Sequence, residues 1–206
     1  YSTAVGAVIM VAGYTLGDAA IAAVSIANKI YMLLRSMLIG VGQGFQPVAG
    51  YNYGAGLYGR VKKSFNSAIL IGTVYGLIAS VVLFFFSEQI IGVFRAGDTE
   101  VIDIGSRMFR YLSASLLTLG YSTFVNQLYQ SLGFVVPATV LASCRQGIFF
   151  IPLILILPSL IELDGVLMTQ AIADLMTFVV SIPFHILMIK HFMPDARAGK
   201  QVQRKQ

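Results

Sequence analysis

Few side chains in this sequence can do chemistry within its apolar runs, and they fall in four places. Asp174 sits in AIADLMTF, inside a long greasy segment. A carboxylate is costly in hydrocarbon, so it faces protein or water. It serves there as a proton or cation relay or as part of a substrate cavity, or else as a helix-packing contact. Lys29 and Arg35 lie in ANKIYMLLRSM, and at about 100° per residue they point in different directions. Asn28 precedes them, and Gln43 and Gln46 follow. Lys29 is too deep for an ordinary flank: it lines a cavity, pairs with an acid or snorkels, and the same alternatives hold for Arg35. Asn126, Gln127 and Gln130 make a polar patch. Gln127 and Gln130 share a helix face, suited to ligand binding or to hydrogen bonds between helices. Arg145, in ATVLASCRQGIFF, reads as a snorkelling cation.

Other chemistry is missing. The single cysteine, Cys144, rules out an internal disulfide, and two histidines in the last quarter make a poor metal site. There is no GxxxxGK[ST] loop, no HExxH and no GxSxG elbow, and Gly40, Gly42 and Gly44 follow no strand, so they are not a dinucleotide fingerprint. The expectation is a protein that is not an enzyme and has no cofactor.

The elements that position these residues follow from composition. Of 206 residues 57% are hydrophobic and only 11% charged, with a mean hydropathy of +0.79. A soluble domain carries more than twice that share of charge, so lipid contact is the simpler account. A spanning helix needs about 20 apolar residues. Tyr1 to Leu16 is short, the outer part of a truncated helix, and Gly17–Asp18 reads as a turn with Asp18 as N-cap. Further spans are read from Ala19 to about Pro47, Ser64 to Phe86, about Arg107 to Gln130, Ala138 to Pro158, and Gly165 to Ile189. The chain opens without methionine and already apolar, as part of a longer protein would. Residues 1–192 read as one transmembrane lobe and 193–206 as a basic tail.

Charge orients the spans. The net charge is +5, but the charges cluster between apolar runs, which points to membrane orientation and not to nucleic acid. Arg60, Lys62 and Lys63 follow the second span, and Lys190, Arg197, Lys200, Arg204 and Lys205 follow the last. The opposite connections lean acidic: Asp18, Glu88 to Asp103, Glu162 and Asp164. The positive-inside rule places the loop 56–63 and the C-terminus in the cytoplasm. Arg95, Arg107 and Arg110 run against the rule.

The stretch GVGQGFQPVAGYNYGAG, residues 40–56, then closes a long span at the cytoplasmic face. Together with GDAAIAAVSIANKI, GLYGRVKKSF, SLGF, SCRQGIFFIPLILILP and LDGVLMTQAIADLMTF, in that order, it resembles the multidrug and toxic compound extrusion (MATE) family, bacterial multidrug-export branch. The resemblance implies an all-α polytopic membrane protein, here the C-terminal six-helix lobe of a twelve-helix transporter, helices seven to twelve, with the first cut short. It implies export of organic cations in exchange for protons or sodium, in a bacterial cytoplasmic membrane, with the N-terminal lobe and membrane lipids as partners. Asp174 matches the branch's acid in helix twelve. Neither the visible part of helix seven nor the fourth span from Tyr111 to Gln130 has the cation-coordinating acid of some branches. Gly40, Gly42, Gly44, Pro47, Gly50 and Gly54 are expected to give close packing and a bend at the cytoplasmic gate. A lipid-linked precursor flippase, favoured if Lys29 and Arg35 line the cavity, and a non-transporting membrane scaffold are the alternatives.

Overall fold

The computed structural model describes the backbone of residues 2–95 and 97–192 and the side chains of residues 18–95 and 97–190. The basic tail, 193–206, lies outside the described residues, as do the side chains of the first span. All described elements are helical: α1 (Ser2–Gly54), α2 (Tyr58–Phe85), α3 (Ser87–Phe94), α4 (Thr99–Ser131), α5 (Val135–Ser143) and α6 (Phe150–Leu187). A π-helical turn, Cys144–Ile148, joins α5 to α6, and another, Met188–Phe192, follows α6. The turn expected at Gly17–Asp18 is absent, because α1 runs through it. Glycine costs a helix about 1 kcal/mol against alanine, and with no proline nearby nothing forces a break.

Among the described residues, three stretches are long and apolar enough to cross a membrane: Asp18–Gly54, Tyr58–Phe85 and Val135–Lys190. The third is two arms. Ile161 and Glu162 leave helical geometry, Glu162 at φ 47°. The chain then reverses so tightly that a Cβ on Gly165 would overlap the Leu157 carbonyl oxygen. The expected fourth span, α4, is not apolar enough by itself. It sits at the centre of the bundle, packed on α1, α2, α3, α5 and α6. Protein surrounds it, so it tolerates Ser106, Ser113, Ser115 and Ser122, whose hydroxyls donate to carbonyls three residues back.

Packing is arranged for lipid. The buried face of α2 is largely small (Ala68, Gly72, Gly76, Ala79), while Leu70, Ile71, Leu77, Ile78 and Phe85 point outward. Without a hydrophobic drive between helices, close backbone approach supplies the attraction. A Cβ on Gly76 would lie 2.6 Å from the Leu116 carbonyl oxygen, and one on Gly120 would lie 3.2 Å from that of Gly72.

The second span does not end at about Pro47, as expected, but runs on through the glycine-rich stretch. Helix α1 continues through it, with Pro47 inside, to Gly54. What stops the helix is Gly56 at φ +70°. Its N–H donates to the Tyr53 carbonyl at 2.9 Å, and the Leu57 N–H to that of Asn52 at 2.8 Å. This is the left-handed C-terminal cap that glycine favours. Gly133 (φ +80°) closes α4 in the same way, with bonds from Gly133 to Gln130 and from Phe134 to Tyr129. The basic loop expected at 56–63 shrinks accordingly: α2 starts at Tyr58, so Arg60, Lys62 and Lys63 are helical.

Candidate functional site

At the middle of the bundle Asp174 is fully buried. It lies about 18 Å along its helix from the reversal at Glu162 and about 24 Å from Lys190, at 1.5 Å per residue. Both carboxylate oxygens are occupied. Arg145 Nε donates to Oδ1 at 2.8 Å. Gln170 Nε2 donates to Oδ2 at 3.2 Å, and the Tyr31 hydroxyl makes a short bond to the same oxygen. Tyr31 also meets the Ser115 hydroxyl at 3.1 Å. One carboxylate thereby ties α1, α4, the π-helical turn and the returning arm of α6.

The reading of Arg145 as a snorkelling cation is overturned: only 10% of its side chain is exposed. Its place follows from the hairpin, since the reversal at 161–162 folds the arm carrying residue 145 beside the arm carrying residue 174. The π-helical turn lies at this very point, where the extra residue re-aims a side chain. The signal in the sequence was the opposite charge at matching depth on either side of the Pro158–Asp164 connection.

Beside the pair lies a cavity of about 310 Å³. Arg35, Gln43, Gln46, Thr123, Asn126, Gln127, Gln130, Arg145 and Gln146 line it, so the lining holds two arginines and no acid. Arg35, Asn126, Gln127 and Gln130, four of the residues singled out by sequence, meet here. Asp174 reaches the cavity through Arg145. Lys29 is exposed and lines neither the cavity nor the pair. A chain of amides runs along one wall: Gln46 Nε2 donates to Gln130 Oε1 at 3.2 Å, Gln130 Nε2 to Asn126 Oδ1 at 2.6 Å, and Asn126 Nδ2 to the Ala138 carbonyl at 3.1 Å. Gln127 Nε2 faces the Ile39 carbonyl at 3.4 Å.

The glycines divide. Gly42 lies against the Gln127 side chain, and a Cβ on Gly50 would stand 3.0 Å from the Ser131 carbonyl oxygen. Gly40, Gly44 and Gly54 have nothing within 4 Å of that position. Of the five glycines between residues 40 and 54, close packing among the described residues therefore involves only two. At the other end of the bundle, Arg95 pairs with Asp98, Arg107 with Asp103 and Asp164, and Arg110 with Glu88.

The polar side chains of this helical membrane lobe gather where its helices meet, facing one another and the cavity instead of lipid. Residues 3–156 match the MatE family, and the chain belongs to that family. It is 26% identical over 166 residues to the multidrug export protein MepA of Staphylococcus saprophyticus, covering 81% of this chain and 36% of that protein. It is 28% identical over 159 residues to MepA of Staphylococcus aureus strain NCTC 8325, covering 77% and 34%. The fold matches a crystal structure of MATE in complex with MaL6 at TM-score 0.86 and 18% identity, over 93% of this chain and 44% of that one. The chain thus spans about a third of the length of these curated relatives.

Proposed function

We propose that this chain is the second lobe, helices seven to twelve, of a bacterial multidrug exporter that expels organic cations in exchange for protons or sodium. The observation that carries this reading is the buried Arg145–Asp174 pair at mid-depth beside a polar cavity. Among the described residues Asp174 is the one acid at that depth. A proton or cation arriving at the carboxylate would weaken its hold on Arg145 and loosen the joint between α1, α4 and α6. Such a joint suits a lobe that rocks against another around a central site. A scaffold needs no such cavity, and it would satisfy its buried polar groups pairwise.

The lobe sits in the cytoplasmic membrane with the α1–α2 turn and the C-terminus inside. Two observations support this. The arginines that oppose the charge rule are each matched by acids at their own end. Arg60, Lys62 and Lys63 instead occupy the start of α2, where the helix dipole disfavours cations, so their placement answers to the membrane and not to helix stability. The two arginines of the lining favour one second reading, a flippase for an anionic lipid-linked precursor.

The test is reconstitution of the complete polypeptide in vesicles. Cationic-dye movement driven by a proton or sodium gradient is expected, with no translocation of a lipid-linked precursor. The opposite pattern selects the flippase, and neither activity selects the scaffold.

A further inference from the structure

Lys29 has no role in the site described above, yet its place in the bundle is unusual. It precedes Tyr31, whose hydroxyl bonds Asp174 at mid-depth, so the two levels differ by about 3 Å along α1. It also lies about 16 Å along the same helix from Asp18, within the apolar span Asp18–Gly54. The Lys29 side chain is exposed on this lobe. A lysine stem reaches about 6 Å, too short to carry an ammonium from the middle of a hydrocarbon layer about 30 Å thick to either face. A charge so placed turns to protein or water and not to lipid. Among the described residues it makes no ion pair. The one acid at its depth, Asp174, is held by Arg145 at 2.8 Å.

The surface of α1 around Lys29 has two flanks. Lys29, Ser36 and Gln43 are spaced by seven, so each follows the last within about 20° around the helix. Gln43 reaches the polar cavity, so this row extends the cavity's lining along α1. Ser36 is exposed, and a Cβ on Gly40, one turn further on, would meet nothing within 4 Å. Met37, Val41 and Val48, exposed on the other flank, suit lipid.

We infer that the Lys29 ammonium pairs with a carboxylate on the preceding lobe of the complete polypeptide, bridging the two lobes at mid-depth. The inference rests on the second-lobe reading and names the chemistry by which the lobes meet there. This chain spans about a third of the length of its curated relatives, and the lobe proposed to precede it supplies the facing wall. The open space at Gly40 lets a helix of that wall come close to α1. A wall without an acid would leave the ammonium desolvated and unpaired.

A carbodiimide joins an amine to a carboxylate where the two touch, forming an amide and releasing the carbodiimide as its urea. The complete polypeptide in phosphatidylcholine vesicles is treated with dicyclohexylcarbodiimide, digested and read by mass spectrometry. The expected product is an amide between Lys29 and an Asp or Glu that precedes residue 1, absent from Lys29→Arg. In a cysteine-free background, Lys29→Cys should react with a cationic methanethiosulfonate about tenfold or more faster than Leu77→Cys, because a thiol in apolar surroundings does not ionise. Leu77 is 54% exposed and lies at a similar level, next to Gly76, which meets the Leu116 carbonyl. Comparable rates place Lys29 in lipid and overturn the inference. No cross-link, a cross-link to an acid within residues 1–206, or one between isotopically distinct copies also overturns it. A cross-link in a protein whose vesicles transport no dye keeps the ion pair and fails the transport reading. Dye transport without the cross-link does the reverse.

Discussion

Separating Asp174 from Arg145 should be far more damaging than removing both. The Nε–Oδ1 distance of 2.8 Å puts the charge centres about 4 Å apart, where attraction at an effective dielectric of about 20 is about 4 kcal/mol. Asp174→Asn leaves the guanidinium buried without its counter-charge, and Arg145→Gln leaves the carboxylate so. Each should lower stability by about 3 kcal/mol or more. The double variant leaves neither charge of the pair and should lose less than either single one, giving a coupling energy of about 3 kcal/mol or more. Reversible unfolding of the complete polypeptide in mixed micelles supplies the stabilities. Transport rate per folded molecule, taken across a pH series, supplies the function. A structural joint alone predicts that the double variant regains both stability and transport. The coupling role proposed for Asp174 predicts that it regains stability and stays inactive, with a flat pH profile. Single variants that each cost under about 1 kcal/mol and combine additively would refute the buried-pair reasoning itself.

Other outcomes follow from the same geometry. Tyr31→Phe removes one of three donors to Asp174 and should cost about 1 kcal/mol in the same unfolding assay. Gly76→Ala and Gly165→Ala push a methyl against backbone carbonyls and should each cost about 1–3 kcal/mol; unaltered stability would show that the helices do not approach so closely. In a Cys144→Ala background, Asp98→Cys should react with an impermeant thiol reagent in intact cells and Lys200→Cys should not, and the reverse pattern would invert the topology. Residues 1–206 alone should move no dye beyond empty vesicles, since a pathway between two lobes needs both walls.

Composition and charge were enough to declare this a membrane protein. So few charged residues cannot coat a soluble domain of this size, and the basic and acidic connections alternate along the chain. The spans Ser64–Phe86, Ala138–Pro158 and Gly165–Ile189 were legible for the same reason, because length and hydropathy are local properties, whereas α4 is a central helix that hydropathy alone does not mark as a span. The cavity was partly legible: a polar residue within a span must turn away from lipid, and Arg35, Asn126, Gln127 and Gln130 did turn to a common space. Which of them meet was beyond the sequence, since an almost uniformly apolar helix shows no preferred face and Lys29 and Arg35 look alike along the chain. Tertiary structure sent one outward and the other inward. It alone placed Arg145 beside Asp174, because that meeting depends on where the chain reverses and on a π-helical turn that shifts the register. It also set the end of α1 at Gly54, capped by Gly56, instead of Pro47, since a proline within a helix is tolerated when neighbouring helices hold it, whereas a left-handed cap ends one outright.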